Sequence, residues 1–301
     1  MKRYIRTWKM QPIPSAMIAA MTPDDVDIRF YDDRLEAIDY DAPTDLVAIS
    51  IETYTARRSY QIASEYRRRG VPVVMGGFHA TLCPQEVQRH CESIVIGEAE
   101  GVFAELIDDY RHGTARKVYR STGRPKLSVQ PDRSIFNGKR YLPIGLVEFA
   151  RGCRFKCDFC AIQSVFKSTQ THRDVDMVTD EVRRVRRPGQ MIFFIDDNIT
   201  SDLKAAKELM RALIPLKIRW VSQSAINVAY DEEALSLMKL SGCQGVLVGF
   251  ESLDEDSLRT MNKGFNLMGG GPREAMARFR RAGLRIYGTF VFGYDFDTPD
   301  S

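Results

Sequence analysis

The stretch GCRFKCDFC at residues 152–160 places three cysteines at the spacing C-x3-C-x2-C, with an aromatic residue directly before the last of them. Three thiolates on one loop can hold three irons of a cubane iron–sulfur cluster, which has four. The fourth iron then has no protein ligand and can bind another molecule, so such a cluster is a place for chemistry. Cys153, Cys157 and Cys160 are therefore the predicted metal ligands.

A zinc site and a disulfide are the alternatives for these cysteines. Structural zinc sites take four ligands, usually as two separated pairs, and the sequence has no second pair of closely spaced cysteines or histidines. The remaining cysteines, Cys83, Cys91 and Cys243, are scattered along the chain. A chain with six cysteines and no visible targeting segment is typical of a reduced, cytoplasmic protein, which disfavours a disulfide.

Length and composition exclude some classes of protein. The 301 residues fit one large or two medium domains, and a content of 44% hydrophobic and 28% charged residues favours a globular protein with a sizeable core. A net charge of +3 does not indicate a nucleic-acid partner, because the basic runs at 67–69 and 183–187 end predicted helices, where cations are favoured. No apolar stretch reaches about 18 residues, so no membrane span is predicted.

The first part of the chain alternates apolar runs with amphipathic segments. Helices are predicted at residues 14–21, 56–69, 84–89 and 102–110, and strands at 26–31, 46–51, 71–75 and 93–97. This alternation predicts a parallel sheet with helices on both faces, so residues 1–112 are assigned to a doubly wound, Rossmann-like α/β domain. Residues 4–8 already read as a loop, and the first strand of this sheet is therefore expected to be missing.

A basic segment separates this domain from a second series of strand–helix repeats. Residues 111–143 hold nine Lys or Arg and one acid, Asp132, so residues 113–143 are predicted to be a linker or a surface segment. Residues 144–301 are assigned to a partial barrel, whose functional groups should lie at the carboxyl ends of the strands. Its strands are predicted at 146–150, 191–195, 218–221, 245–250 and 285–292, and its helices at 174–187, 202–214, 231–240, 254–261 and 272–282.

The cysteine motif, placed after the first barrel strand, resembles the signature of the radical S-adenosylmethionine (SAM) enzymes. In that family the open iron chelates the methionine end of SAM, and one electron cleaves SAM to a 5′-deoxyadenosyl radical. The resemblance implies a 4Fe–4S cluster on the three cysteines, SAM as a cofactor, and a reductant such as flavodoxin or ferredoxin as a partner. It also implies that residues 144–301 form strands one to five of a (β/α)6 radical SAM barrel.

The same resemblance implies SAM contacts at or near the strand ends, namely at Phe159, Asp196, Asp197, Ser222, Gln223 and Glu251. Phe159 is expected near the adenine, and Asp196 with Asp197 stands where the family binds the SAM amino group. Glu251 stands where the family places polar contacts to the ribose or carboxylate. Helix capping is the alternative for these three acids. No side chain is assigned a catalytic role.

Two segments of the first domain, MGGFHAT at 75–81 and VIGEAE at 95–100, resemble the cobalamin-binding domains that precede radical SAM barrels. Paired glycines after a strand let a ligand approach the backbone closely. The resemblance implies cobalamin contacts at Gly76, Gly77, His79, Thr81 and Glu98, although His79 has an ordinary loop histidine as its alternative. The D-x-H-x-x-G motif, which gives cobalt a histidine in other cobalamin proteins, is absent here and in many radical SAM relatives.

The expected function is that of a cobalamin-type radical SAM enzyme that methylates an unactivated carbon of a small-molecule or lipid-like substrate. The alternatives are a radical rearrangement or cyclisation without cobalamin chemistry, and a non-catalytic iron–sulfur protein with a structural or redox-sensing role. A methylthiotransferase acting on nucleic acid is disfavoured. Those enzymes carry three further cluster cysteines in an N-terminal domain, where this chain has only Cys83 and Cys91.

The chain is also expected to be truncated at both ends. Barrels of the family have six strands, whereas the sequence stops after the fifth predicted strand, at residues 285–292. That strand would then be a bare and largely apolar edge, and such edges favour aggregation.

Overall fold

The computed structural model describes residues 9–298 and divides into two compact units, Met1–Leu142 and Pro143–Ser301. Among the described residues, no helix has the length and apolar character needed to cross a membrane. The elements of the first unit, in chain order, are α1 (Ile13–Met21), β1 (Val47–Ser50), α2 (Ala56–Arg68), β2 (Val73–Gly76), α3 (Phe78–Leu82), α4 (Pro84–Val87), β3 (Ser93–Ile96), α5 (Phe103–His112) and β4 (Val118–Arg120).

The first unit is built on a parallel sheet with the strand order β1-β2-β3-β4. Successive residues of a strand point to opposite faces. On β2, Val73 is therefore buried in one apolar cluster with Ala63 of α2, and Val74 in another with Leu106 of α5. Helices cover both faces of the sheet, which confirms the predicted doubly wound α/β fold.

Two segments of the first unit differ from the sequence-based expectation. Residues 26–31 are predicted as a strand, but they form none, because Phe30 packs edge-to-face on Phe136 instead of the segment pairing with the sheet. The basic segment predicted as a linker contributes β4, whose Tyr119 is buried in the sheet core. The expected loop at residues 4–8 lies outside the described residues, and the domain boundaries at 112 and 143 stay predictions.

The second unit carries the cysteine motif between two short strands. Its elements are β5 (Ile144–Val147), β6 (Ala150–Gly152), α6 (Ala161–Phe166), β7 (Gln170–His172), α7 (Val175–Val185), β8 (Met191–Phe194), α8 (Leu203–Leu213), β9 (Arg219–Ser224), α9 (Glu232–Leu240), β10 (Cys243–Glu251), α10 (Glu255–Thr260), α11 (Gly271–Arg281) and β11 (Arg285–Phe290).

Five strands of this unit form one parallel sheet in chain order, β5-β8-β9-β10-β11, while β6 and β7 pair antiparallel beside the cysteine loop. Apolar side chains from the strands and helices bury Trp220, whose indole nitrogen donates to the Ser241 carbonyl at 3.1 Å. Parallel strands that alternate with helices in this order confirm the predicted partial barrel. In the described sheet β11 is an edge strand, and its Tyr287 and Phe290 are exposed.

Aspartates cap four helices of this unit, α7 to α10. At α10 the side chain of Asp254 accepts a hydrogen bond from the Ser257 amide at 2.7 Å. The Asp254→Ala variant should lower the free energy of unfolding by about 1 kcal/mol, because the amide loses its partner. Urea denaturation measures the change.

The control for this prediction is Asp256→Ala on the same helix. Asp256 is exposed and pairs with Arg259 one turn along the helix, so its loss should cost only about 0.2–0.5 kcal/mol. Equal losses in the two variants would show that the cap does not stabilise α10.

Candidate functional site

The cysteine loop begins at a glycine that no other residue can replace without strain. Gly152 has φ +88°, and a Cβ atom at this position would lie 2.4 Å from the Thr169 carbonyl oxygen. The chain therefore turns sharply between β6 and Cys153. The structure thus places the motif in a loop at the carboxyl side of the sheet, as expected for a functional loop of a barrel.

All three cysteines of the motif carry free thiols, and Cys157 is the most deeply buried of them. Burial, helped by the neighbouring Cys160 and Cys153 and opposed by Lys263, raises the pKa of the Cys157 thiol to about 11. Three free thiols within one eight-residue stretch are the ligand set of an iron–sulfur cluster with one open iron, so these residues fit the group that the sequence implies.

Polar groups from the segment after β8 face the first sulfur. The Asn198 side-chain nitrogen lies 3.5 Å from Cys153 Sγ and the Ser201 hydroxyl lies 3.8 Å from it, both as donors. Ser201 Oγ also accepts the Arg154 amide proton at 2.8 Å. Hydrogen bonds to ligating sulfurs orient them and adjust the cluster's potential. In the sequence, Asn198 completes an Asp-Asp-Asn motif that resembles the one in cobalamin-type members, with helix capping as its alternative, whereas Ser201 carries no signal.

The two aspartates at the end of β8 hold the backbone that leads into the cysteine loop. Both oxygens of Asp196 accept backbone hydrogen bonds, from Phe149 at 2.8 Å and from Ala150 at 2.9 Å. Asp197 accepts the Gly152 amide proton at 2.8 Å. Burial raises the pKa of Asp196 well above its usual range, against the effect of these hydrogen bonds. The carboxylate of Asp196 is thus a positioning group, and the SAM contacts of both acids stay predictions.

The predicted polar residues on β9 cross-link neighbouring strands. Ser222 is buried and donates its hydroxyl proton to the Phe194 carbonyl at 2.8 Å. The Gln223 side-chain amide donates to the Asp196 carbonyl at 3.3 Å, so Gln223 lies beside the Asp-Asp pair. Ser222 therefore has a hydrogen-bond partner on the neighbouring strand β8, whereas Gln223 contacts the segment that follows β8.

Glu251, at the end of β10, forms a buried ion pair with Lys263. The carboxylate and ammonium groups are 2.7 Å apart, and the side chains are 9% and 10% exposed. Lys263 also donates to the Gly249 carbonyl at 2.9 Å. Glu251 has φ +65°, an unusual conformation for a non-glycine residue, which is held by the surrounding contacts. Lys263 was missed in the sequence because an isolated basic residue in a loop carries no motif.

Phe159 of the cysteine loop lies close to this ion pair. Its ring is 43% exposed, contacts Tyr294 edge-to-face at 6.4 Å between centroids, and has the Lys263 nitrogen 5.9 Å from its centre. Glu251 also lines a cavity of about 170 Å³, together with Ser252 and the residues around Phe290. The structure therefore brings together Phe159 and Glu251, which lie far apart in the sequence.

In the first unit, the predicted glycines lie where β2 ends against β1. Gly77 has φ +104°, and a Cβ atom there would lie 3.0 Å from the Ile51 carbonyl oxygen. At Gly76 a Cβ atom would touch Val95 at 3.4 Å. The side chain of Thr81 donates to the Gly77 carbonyl at 3.1 Å and accepts the Gly97 amide proton at 3.0 Å. These two hydrogen bonds connect the loops after β2 and β3 at the carboxyl ends of the strands.

The other two predicted cobalamin contacts have partners within the same unit. Glu98 forms an ion pair with Arg124 at 3.1 Å. His79 is only 5% exposed, and its Nδ1 lies 3.1 Å from the Thr53 hydroxyl. The structure therefore gathers the five residues at the carboxyl ends of β2 and β3, while their contacts with cobalamin stay predictions.

Comparison with known proteins places both units in families. The model of the B12 binding domain matches residues 8–107, and the model of the Radical SAM superfamily matches residues 147–300. The chain is 30% identical over 302 residues to bacteriochlorophyllide d C-12(1)-methyltransferase of Chlorobaculum tepidum, covering 96% of this chain and 66% of that protein. It is 27% identical over 303 residues to the C-8(2)-methyltransferase of the same organism, with 94% and 66% covered.

A solved structure shares the fold. The radical S-adenosylmethionine methyltransferase TsrM from Kitasatospora setae, determined with cobalamin and a [4Fe-4S] cluster, superposes with a TM-score of 0.71 at 18% identity. The match covers 87% of this chain and 59% of that chain. The sequence thus spans just under two thirds of the length of the two curated methyltransferases, at 66% of each. The chain belongs to the radical SAM superfamily, with a B12 binding domain ahead of its radical SAM domain.

Proposed function

We propose that this protein is a cobalamin-dependent radical SAM methyltransferase that adds a methyl group to an unactivated carbon. The observation that carries the proposal is the loop of three free cysteines, with its backbone held by Asp196 and Asp197, in a chain that also has a B12 binding domain. The names of the two curated relatives, both methyltransferases, favour methyl transfer over a radical rearrangement or cyclisation.

The radical SAM domain implies a 4Fe–4S cluster and SAM, and Cys153, Cys157 and Cys160 would hold the cluster. When both are bound, they supply a one-electron cleavage of SAM to a 5′-deoxyadenosyl radical, which can take hydrogen from a carbon that no side-chain base could deprotonate. The chain's own residues have the tasks of binding, orientation and exclusion of water. Asn198 and Ser201 would hold the first sulfur in position through the hydrogen bonds described above.

For SAM itself, we propose contacts around Phe159 and the Glu251–Lys263 ion pair. The exposed ring of Phe159 offers an apolar surface for adenine, and Glu251 with Lys263 places two opposite charges next to it. Asp197 and Gln223 lie at the neighbouring strand ends and would supply polar contacts to the amino-acid end of SAM. Asp196 is instead proposed to anchor the backbone before the cysteine loop, because both of its side-chain oxygens already accept backbone hydrogen bonds.

The B12 binding domain implies cobalamin, and the proposed contact surface lies at the carboxyl ends of β2 and β3, formed by Gly76, Gly77, His79, Thr81 and Glu98. Gly76 and Gly77 carry no side chain, so a ligand can approach the backbone there. The proposed partners are a one-electron donor such as flavodoxin or ferredoxin, and a small-molecule or lipid-like substrate.

The first test is electron paramagnetic resonance of the anaerobically reconstituted and reduced protein, with and without SAM. We expect a cubane signal that shifts when SAM is added, because SAM would occupy the open iron. A cubane signal that is indifferent to SAM would contradict the proposal and favour a structural or redox-sensing cluster.

Cobalamin content distinguishes the two radical reactions. After incubation with cobalamin and removal of the excess, the proposal expects the protein to retain it and to form a methylated product only in that state. A protein that retains no cobalamin, yet consumes SAM in the presence of the substrate, would favour rearrangement or cyclisation.

A further inference from the structure

Three potential metal ligands of the first unit stand apart from the cysteine loop. They are His79, Cys83 and Glu86, which lie where α3 meets α4. One ligand atom of each, a His79 ring nitrogen, Cys83 Sγ and a Glu86 carboxylate oxygen, lies within 4.8 Å of the other two. Cys83 lies between the two short helices and outside both, so the turn that joins α3 to α4 brings the three ligand atoms together.

His79 presents a buried nitrogen with no hydrogen-bond partner. The side chain is 6% exposed, and among residues 9–298 its Nε2 has no hydrogen-bonding group within reach. The nearest charged atom is Glu86 Oε1 at 3.7 Å, which is too far for a hydrogen bond. Buried polar atoms without partners are rare in folded proteins. A donation from Nδ1 to the Thr53 hydroxyl, 3.1 Å away, leaves on Nε2 the lone pair that a metal requires.

The other two ligands are accessible and partly oriented. Glu86 Oε1 accepts the Tyr60 hydroxyl proton at 2.9 Å, and the Tyr60 ring is itself stacked on His90 at 3.8 Å between centroids. Cys83 is a half-buried free thiol. Glu86 is exposed, which leaves a path from solvent to the site. An ion pair between His79 and Glu86 is the simpler alternative. It gives Cys83 no role, and the 3.7 Å between His79 Nε2 and Glu86 Oε1 is too long for a hydrogen bond.

We propose that His79, Cys83 and Glu86 bind one divalent transition-metal ion, best matched by zinc. An imidazole, a thiolate and a carboxylate are zinc ligands, whereas magnesium and calcium prefer oxygen alone. Three protein ligands leave a fourth position for water or for a group of a bound molecule. The site involves none of the cluster cysteines, but it uses His79, one of the five predicted cobalamin contacts, so zinc and cobalamin would compete for this residue.

The test is a cobalt(II) titration of the full chain, free of cobalamin, with Cys153, Cys157 and Cys160 replaced by serine to remove competing thiols. Cobalt(II) bound to a thiolate absorbs in the near ultraviolet. We expect saturation at one equivalent and displacement of the signal by zinc(II). Adding Cys83→Ser should abolish this absorption, and adding Glu86→Gln should weaken binding about tenfold or more.

The matched control adds Cys91→Ser instead. Cys91 is a buried thiol of the same unit that donates to the Val87 carbonyl at 3.4 Å, and its replacement should leave the absorption unchanged. Zinc should also raise the midpoint of thermal unfolding of the protein that retains Cys83, and leave that of the Cys83→Ser protein unchanged. This second measurement also shows that both proteins are folded. The proposal would be overturned if the protein with only the three cluster cysteines replaced bound less than one equivalent of cobalt(II). It would also be overturned if the thiolate absorption survived the addition of Cys83→Ser. Glu86 is exposed, so its variant tests the site without disturbing the core.

Discussion

The Cys157→Ser variant is expected to assemble no stable cubane cluster and to lose every spectroscopic effect of SAM. Cys157 is the buried member of the three thiols, and a serine hydroxyl is a poor substitute for a thiolate on iron. After anaerobic reconstitution, the iron content should fall from about four atoms per chain to a small fraction of that. Iron analysis and electron paramagnetic resonance of the reduced protein measure the change.

The matched control for this variant is Cys243→Ser. Cys243 is also buried, donates to the Gly245 carbonyl at 3.5 Å, and has a thiol pKa that burial raises to about 12. The same chemical change is therefore made in the core of the same unit, away from the proposed cluster. The control should keep the parent's iron content and its response to SAM. A Cys157→Ser protein that retains a full cluster would refute the assignment of this ligand.

The Asp196→Ala variant should lower the free energy of unfolding of the second unit by about 2–6 kcal/mol. The change leaves the amides of Phe149 and Ala150 without acceptors in buried surroundings, at a cost of about 1–3 kcal/mol for each. Because these residues lead directly into the cysteine loop, cluster retention should fall as well. Urea denaturation of the apoprotein in a Trp8→Phe background, followed by the fluorescence of buried Trp220, measures the loss.

The control for Asp196 is Asp180→Ala on α7. Asp180 is exposed and pairs with Arg183 at the surface, where such pairs contribute about 0–1 kcal/mol. The Asp196→Asn variant should lie between the control and Asp196→Ala, because an amide keeps one acceptor oxygen. If Asp196→Ala unfolds at the same urea concentration as the parent, the carboxylate does not anchor the backbone before the loop.

Features set by residues close together in the chain were predicted from the sequence. The three cysteines proposed to hold the cluster lie within eight residues, and the capping aspartates act on amides two or three positions away. The alternation of apolar runs and amphipathic segments likewise predicted two α/β units. In each case the interaction is between neighbours, so spacing and residue type carry the information.

The tertiary structure decided whatever depends on burial and on contacts between distant residues. The backbone amides that donate to Asp196 lie 46 and 47 residues earlier in the chain. Glu251 pairs with Lys263 because the loop after α10 folds back onto β10. Residues 26–31 have the alternating pattern of a strand, but they do not pair with the sheet, and Phe30 packs against Phe136 instead. Local pattern therefore predicted most of the elements and the proposed cluster ligands, while long-range packing determined which polar groups are held by partners within the protein.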